Sequence, residues 1–353
     1  MPKTTRYLRA FLPQDDRDIR CAAEIIRGGG LVGLPTETVY GLAANALDPA
    51  AIRAVYQAKG RPHDNPVIVH VASAEEAAPL CRDIPDAARK LMAAFWPGPL
   101  TLILRRSPAI PGEVSAGLDT VAVRCPDHAV ARQVIQLAGV PIAAPSANPS
   151  GCPSPTCARH VMADMDGKID AVLDGGPCLV GLESTVVDMT VSPPRILRPG
   201  GVTAEQLSEC LGEDVEDADA GRAVCDDEPV PSPGMKYRHY APSAPLILLR
   251  GTAQDAAGYL WEEASKGVAG LPDAAVLCFD EEKHVFEGTA GSVATYGPSI
   301  CLETMARRLF YVLRSLDKPG VSCIYARCPE GGGLAAAIRN RLQRAAGFNE
   351  INV

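Results

Sequence analysis

Polar residues that could bind phosphate stand around a short turn in the first quarter of the chain. In the segment "KGRPHDNPVIVH" (59–70) they are Lys59, Arg61, Asn65 and His70. Prolines at 62 and 66 restrict the backbone between them. Two cations and an amide held in a rigid turn, before a strand that ends at His70, suit a polyphosphate. A solvated Lys–Arg pair is the ordinary alternative, and the two prolines favour the binding interpretation.

The segment "APSANPSGCPSPT" (144–156) is rich in hydroxyl groups. Its polar side chains are Ser146, Asn148, Ser150 and Ser154, set among prolines and Gly151 after an apolar strand. Hydroxyls and backbone amides fixed in this way can form a nest for an anion. We therefore predict a second part of the binding site here.

Other candidates stand at the ends of further predicted strands. Thr36 and Thr38 follow one strand, in "PTETVYGL" (35–42), and are predicted to cap the next helix and present hydroxyls at its positive end. Capping alone is an equal alternative. The remaining strand-end candidates are Arg124 in "TVAVR", Ser184 in "GLESTVVD" and Arg198 in "RILRPG". Taken singly, each arginine is more often a surface residue.

The elements that must position these residues alternate between short β-branched runs and Ala-rich helical stretches. The runs that we predict as strands are 31–35, 66–71, 100–105, 120–125, 141–146, 184–190 and 195–198. A helix is predicted near 203–211. This pattern indicates an α/β fold with a twisted mixed sheet, and we place this domain at residues 1–211.

A smaller Rossmann-like α/β domain is predicted at residues 244–353. Its strands are "LILLR", "AAVLCFD" and "VSCIYAR", and its helices lie near 253–266, 301–316 and 334–346. Between the domains, residues 212–243 form an acidic loop followed by "SPGMKYRHYAP". Cations between tyrosines are unusual in a linker and indicate contact with a ligand.

Composition limits the function. The chain has 353 residues, 47% of them hydrophobic, and a formal net charge of −8, which argues against a protein that coats nucleic acid. Twelve cysteines include no C-x-x-C pair, so buried free thiols in a reducing cytoplasm are favoured over zinc or disulfides. No signal peptide or membrane span is predicted, and we expect a cytoplasmic protein. The usual nucleotide loops and hydrolase elbows are also missing from the sequence.

The segments above resemble, in order, the YrdC-type threonylcarbamoyl-AMP synthases. The residues that carry this resemblance are "PTETVYGLAANALD", "KGRPHDNPVIVH", "WPGPLTLIL", "PSANPSGCPSPT", "GLESTVVD" and "ILRPG". "SPGMKYRHYAP" and the second domain resemble the two-domain form. The resemblance implies synthesis of L-threonylcarbamoyladenylate from L-threonine, bicarbonate and ATP, with Mg²⁺ accompanying ATP and pyrophosphate released. It also implies that downstream proteins transfer the threonylcarbamoyl group to tRNA. The chain itself is then expected to act on tRNA only indirectly and to bind no membrane.

The resemblance also implies residue roles. The residues expected to hold threonine are Thr38, His70, Arg124, Ala144 and Ser184. Those expected to hold ATP are Arg61, Asn65, Thr120, Ser146, Ser154, Arg198 and Tyr237. Lys59 and Arg61 are expected to face developing phosphate charge, and the linker to cover the site. His70 has a plain alternative as a core histidine.

Two other functions compete with this interpretation. A hydrogenase-maturation carbamoyltransferase would need an acylphosphatase-like region and C-x-x-C zinc fingers, which this sequence lacks. A non-catalytic RNA-binding module could use the same site, and salt-dependent RNA binding without pyrophosphate release would indicate it.

Overall fold

The computed structural model describes residues 4–10, 16–217, 239–265 and 271–353, and the chain forms two compact units. The N-terminal unit contains the described residues up to 217, apart from Gly151–Pro153. These three residues belong to the C-terminal unit, together with 239–265 and 271–353. Tyr237 and the other linker residues up to 238 lie outside the described residues. No described helix is long and apolar enough to cross a membrane.

An eleven-stranded mixed sheet forms the frame of the N-terminal unit. Its strands are β1 (Arg6–Arg9), β2 (Val32–Leu34), β3 (Gly41–Asn45), β4 (Ile68–His70), β5 (Leu100–Arg105), β6 (Thr120–Arg124), β7 (Ile142–Ala143), β8 (Ala171–Asp174), β9 (Thr185–Asp188), β10 (Arg195–Arg198) and β11 (Glu216–Asp217). Their order in the sheet is β1-β8-β2-β3-β7-β4-β6-β5-β9-β10-β11. Parallel and antiparallel neighbours both occur, which confirms the predicted mixed sheet.

Helices pack against this sheet. They are α1 (Asp16–Arg27), α2 (Pro49–Lys59), α3 (Asp86–Phe95), α4 (Gly112–Ser115), α5 (Ala129–Ala138), α6 (Ala158–Met165) and α7 (Ala204–Leu211), with a 3₁₀ helix at Glu75–Leu80. Helix α2 shows how the sequence sets its ends. Asp48 caps its first turn by accepting a hydrogen bond from Ala50 N at 2.8 Å. Gly60 ends it with φ 59°, a conformation that glycine adopts without strain.

The two faces of the central strands differ in what they bury. On one face, Val69, Leu102, Val123 and Val187 join a large apolar core. On the other face, which we call the site face, a smaller apolar cluster consists of Ile68, Ile103, Ala122, Val186 and Leu197. Because side chains alternate along a strand, Thr120 and Arg124 lie on the site face with Ala122.

One predicted local structure is wrong. The segment after β2 leads into strand β3 rather than a helix, so Thr36 and Thr38 cap no helix there. Strand β3 pairs antiparallel with both β2 and β7. Its residues Leu42, Ala43 and Ala44 are all fully buried, and burial on both faces explains why the sequence shows no strand-like alternation.

The C-terminal unit contains a five-stranded parallel sheet, as the predicted Rossmann-like alternation requires. Its strands are β12 (Leu246–Arg250), β13 (Ala274–Cys278), β14 (Ser292–Thr295), β15 (Cys323–Arg327) and β16 (Glu350–Asn352), in the order β14-β13-β15-β12-β16. Its helices are α8 (Ala253–Ser265), α9 (Lys283–Phe286), α10 (Leu302–Leu316) and α11 (Gly333–Ala346), with 3₁₀ helices at Leu271–Asp273 and Asp280–Glu282.

The described cysteines are free thiols, as predicted. Several of them are buried in apolar surroundings, and burial raises the pKa of Cys81 to about 12 and that of Cys125 to about 11. A raised pKa keeps a thiol protonated and unreactive at neutral pH.

Candidate active site

The carboxyl ends of two parallel strands bring His70 and Arg124 side by side. Strands β4 and β6 pair in parallel, with His70 opposite Arg124. Both side chains are buried, with 4% of each residue exposed. Burying an arginine and a histidine away from water at the ends of adjacent strands costs free energy of desolvation. This edge of the sheet is therefore the first candidate for a ligand site.

Arg124 is held by three partners. Its Nε donates to the carbonyl oxygen of Gly98 at 3.2 Å, and its Nη1 donates to Thr38 Oγ1 at 2.9 Å. Its Nη2 lies 2.6 Å from Glu37 Oε1. These contacts fix the plane of the guanidinium, which can then meet a carboxylate with two parallel N–H groups.

His70 is neutral at physiological pH. Burial, and then the positive charge of Arg124, lower the pKa of His70 to about 3. Its Nδ1 is buried and has no hydrogen-bond partner among the described residues. The imidazole can therefore exchange a hydrogen bond with a polar ligand without adding charge to the site.

Ser184 and Arg198 join the same edge from two further strands. Arg198 Nε donates to the carbonyl oxygen of Ser184 at 3.1 Å, and its Nη2 donates to Ser184 Oγ at 3.2 Å. Thr101 Oγ1 lies 2.7 Å from Ser184 Oγ. A Cβ on Gly200 would come within 2.3 Å of Thr185 N, so only glycine allows this close approach after β10.

The predicted nucleotide residues Asn65, Arg61 and Thr120 lie toward the opposite end of the same strands. Asn65 precedes β4, and Thr120 begins β6. Thr120 and Arg124 stand four residue steps apart along an extended strand, which corresponds to about 13 Å. Arg61 donates to the carbonyl oxygens of Asn65 at 3.2 Å and Pro66 at 2.9 Å. The site face thus presents two groups of polar residues, one at each end.

Lys59 and the loop that follows β7 form one buried structure. Lys59 is 3% exposed, and its Nζ donates to the carbonyl oxygens of Ser146 and of Asn148, the latter at 2.6 Å. Gly41 forms an isolated bridge with Ser146. A Cβ on Gly41 would lie 2.9 Å from Ala144 Cβ, so the glycine permits this contact. In this structure Lys59 therefore positions the loop that carries Ser146.

Ala144 and Ser154 complete the predicted set. Ala144 N donates to the carbonyl oxygen of Ile68 at 3.0 Å, which places it against β4. Ser154 is fully buried and its hydroxyl is hydrogen-bonded to Glu183 Oε1. Glu183 is adjacent to Ser184, so this hydrogen bond lies at the same end of the strands as Arg124. Arg198 and Ser154 therefore lie apart from Asn65 and Thr120, with which the sequence analysis grouped them as nucleotide ligands.

Two buried acids were missed by the sequence analysis. Glu37 and Glu183 are 4% and 7% exposed, and each stands beside a predicted site residue. In "PTETVYGL" and "GLESTVVD" only the hydroxyl-bearing residues were predicted to bind a ligand. The available signal was an acid placed between apolar or hydroxyl-bearing residues at the end of a strand, where a solvated carboxylate is not expected.

Comparison with known proteins identifies the family. A family model described as "Telomere recombination" matches residues 24–200, and one described as "Threonylcarbamoyl-AMP synthase, C-terminal domain" matches residues 202–347. The threonylcarbamoyl-AMP synthase of Pyrococcus abyssi is 46% identical over 342 residues, which cover 95% of this chain and 96% of that protein. The chain belongs to the threonylcarbamoyl-AMP synthase family.

Further relatives agree along nearly the whole chain. The synthase of Bacillus subtilis is 44% identical, over 96% of each chain, and that of Schizosaccharomyces pombe is 38% identical, over 92% of this chain and 87% of that protein. A crystal structure of Pyrococcus abyssi Sua5 complexed with L-threonine has a TM-score of 0.89 and 42% identity, and covers 99% of this chain and all of that one. The family and the two-domain form are thus confirmed, and catalytic synthesis is favoured over an RNA-binding module.

Proposed function

We propose that the chain joins L-threonine, bicarbonate and ATP into L-threonylcarbamoyladenylate and releases pyrophosphate. The observation that carries this proposal is the Arg124 network, which offers a fixed guanidinium on the same face of the sheet as a second polar group about 13 Å away. A small amino acid at one end and a nucleotide extending toward the other fit this arrangement.

The reaction needs positioning more than a protein nucleophile. The threonine amine and bicarbonate give a carbamate, and a carbamate oxygen then displaces pyrophosphate from the α-phosphorus of ATP. Holding the two reactants in line and stabilising phosphate charge are the main tasks of the protein. The polar side chains on the site face are suited to these tasks.

Residue roles follow the two ends of the strands. We assign threonine to Thr38, His70, Arg124, Ala144 and Ser184. We assign the nucleotide to Arg61, Asn65, Thr120, Ser146, Ser154, Arg198 and Tyr237, the last of which lies outside the described residues. Arg198 and Ser154 lie near Ser184, so they suit the phosphate that is attacked rather than the base or ribose. Lys59 holds the loop that carries Ser146 through its hydrogen bonds to the carbonyl oxygens of Ser146 and Asn148. In that position its ammonium group can also face phosphate charge.

Magnesium is expected to accompany ATP. Mg²⁺ usually keeps several waters and takes the rest of its ligands from phosphate oxygens and one or two carboxylates. Within the described ranges, no three His, Cys, Asp or Glu side chains are grouped as a metal site. We therefore propose that ATP brings the ion, and we assign no protein ligand to it.

The product defines the partners. A mixed anhydride of a carbamate and AMP is reactive toward water, so it must pass to a protein that transfers the threonylcarbamoyl group. By its family, the chain would serve tRNA modification through such transfer proteins and contact tRNA only indirectly. A cytoplasmic location is consistent with this role and stays a prediction.

The test is pyrophosphate release with each substrate omitted in turn. We expect release only when threonine, bicarbonate and ATP are all present, because the carbamate must form before the α-phosphate is attacked. The nucleotide product should be identified by mass spectrometry as the threonylcarbamoyl adenylate. Equal release without threonine would refute the proposed function.

A further inference from the structure

Glu37 is a buried acid for which the roles above give no task. It lies beside Thr38, and its Oε1 is 2.6 Å from Arg124 Nη2. This approach is not aligned for a hydrogen bond, and neither carboxylate oxygen accepts one from the described residues. A buried carboxylate is ordinarily both paired and hydrogen-bonded. Glu37 has the charge partner but lacks the donors, and a ligand with N–H groups would supply them.

We infer that Glu37 binds the ammonium group of L-threonine and accepts its proton when the carbamate forms. The inference rests on the proposed function. It makes Glu37 a catalytic residue, in addition to the threonine residues named above.

The charges of the pair match those of the substrate. An α-amino acid carries an ammonium and a carboxylate on one carbon, and Arg124 and Glu37 present the two opposite charges side by side. A zwitterion that binds to both leaves the net charge of the buried site unchanged. An isolated anion or cation would change it, at a cost in desolvation.

Among the described residues Arg124 forms the ion pair with Glu37, and the buried histidines and thiols around this pair are neutral at pH 7. His128 interacts electrostatically with Glu37, and burial lowers the pKa of the His128 imidazole. Cys125 and Cys178 also interact electrostatically with Glu37, and burial raises the pKa of both thiols. His70, beside Arg124, has its pKa lowered to about 3. The two histidines are therefore poor proton acceptors at pH 7, and Glu37 is the carboxylate that lies within ion-pair distance of Arg124.

The ammonium R–NH₃⁺ gives one proton to the Glu37 carboxylate, which leaves R–NH₂ and a neutral carboxylic acid. The amine nitrogen then bonds to the carbon of bicarbonate, and the C–O bond to the departing oxygen breaks. R–NH₂ and HCO₃⁻ give R–NH–COO⁻ and H₂O, so charge and atoms balance. The proton on Glu37 returns to solvent after the product leaves.

The first test compares two ligands that differ at the amine. L-threonine and 2,3-dihydroxybutanoate share the carboxylate and the hydroxyl, but only threonine has the ammonium group. By calorimetry, the unaltered chain should bind threonine roughly 10- to 100-fold more tightly, the usual range for a charged hydrogen bond. Glu37→Gln should bring this preference close to one.

The second test is the pH profile of pyrophosphate release. Without a proton acceptor, Glu37→Gln should depend on amine already free in solution. Its rate should rise about tenfold per pH unit until the amine of threonine is deprotonated, while the unaltered chain shows a flatter profile. A residue that only held Arg124 in place would lower the rate without changing this slope.

Controls separate the possible failures. Glu113→Gln removes a carboxylate from the more exposed Arg53 pair and should leave both readouts unchanged. If Glu37→Gln does not fold, Glu37→Asp keeps the charge but withdraws it by one methylene, and should reduce the threonine preference while keeping the flat pH profile. An unaltered threonine preference in either folded variant would overturn the inference. Failure of the unaltered chain to release pyrophosphate would instead overturn the proposed function.

Discussion

Arg124 and Arg327 are both buried arginines at the end of a strand, one in each unit, yet their surroundings differ. Arg327 Nε and Nη2 both contact the carboxylate of Glu282, at 3.1 to 3.2 Å. Its remaining contacts are with backbone carbonyls, from Nη1 to Leu249 at 2.9 Å and from Nη2 to Gly251 at 2.8 Å. Arg124 has one carbonyl, one hydroxyl and a carboxylate that is close but misaligned.

This difference supports our proposal that Arg124 binds a ligand, whereas Arg327 stabilises the fold. The Arg327 network is closed, because its carboxylate partner accepts hydrogen bonds and both nitrogens of its fork reach carbonyl oxygens. The Arg124 network is open, because buried polar atoms of Glu37, Arg124 and His70 lack hydrogen bonds within the described residues. Native proteins satisfy most buried polar atoms, so a cluster of unsatisfied ones indicates a place where a ligand completes the network.

The largest expected effect is on the closed network. Arg327→Met should destabilise the C-terminal unit by about 3–5 kcal/mol, because it leaves the Glu282 carboxylate without its partner. Hydrogen exchange should show faster exchange for the amides of β12 and β15, and little change for those of β4 and β6. The double variant Glu282→Gln with Arg327→Met should recover part of the loss. Unchanged protection of β12 would show that Arg327 is not structural.

A second expected effect concerns the nucleotide end of the site face. Arg61→Ala should slow pyrophosphate release by about 10²–10³-fold, equivalent to roughly 3–4 kcal/mol, since a charge-stabilising donor is lost. Ser146→Ala should have a smaller effect in the same direction. Both changes should act on the use of ATP rather than of threonine, measured by varying each substrate.

Arg53→Ala is the matched control for Arg61→Ala. Arg53 lies on α2 and pairs with Glu113 near the surface, so its loss should leave the rate unchanged. If Arg61→Ala altered only the requirement for threonine, our division of the site face into two ends would be wrong.

A smaller effect is expected from His70. Its pKa of about 3 in the folded chain lies below the ordinary value near 6.5, so between these values the unfolded chain binds a proton that the folded chain does not. Stability should therefore fall as the pH falls below 6.5. From pH 7.5 to 5.5, this histidine should account for a loss of about 1.4 kcal/mol.

Urea denaturation can isolate that contribution. Trp96 is buried in the N-terminal unit, and with Trp261→Phe as background it is the only tryptophan left to report unfolding. His70→Asn should lose about 1.4 kcal/mol less than its parent between the two pH values. An equal loss in both would mean that His70 is protonated in the folded chain.

Much of the fold could be predicted from the sequence, because its strands are apolar and bounded by prolines and polar residues. Strands β5 and β10 have the predicted bounds, at Leu100–Arg105 and Arg195–Arg198. The failure at β3 has a physical cause. A strand of small residues buried on both faces lacks alternation, and only pairing with β2 and β7 makes it a strand.

The site was predictable in part. His70 and Arg124 could be named as candidates because they end apolar strands, and Ser184 because it directly precedes one. The register of β4 and β6 then placed His70 and Arg124 together. Glu37 could not be named, because its importance depends on burial and on its distance to Arg124, and these arise only from folding. The contacts of Arg327 with Glu282 and with backbone carbonyl oxygens could not be predicted from the sequence for the same reason.

The most direct test of the open network is calorimetric titration of L-threonine into the unaltered chain and into Arg124→Lys. Lysine keeps the charge but loses the planar fork that can hold a carboxylate at two points, so we expect threonine binding to weaken at least tenfold. Arg105→Lys, at an exposed ion pair on the neighbouring strand, is the control and should bind as the unaltered chain does. Threonine binding of equal strength in Arg124→Lys and in the control would contradict the account.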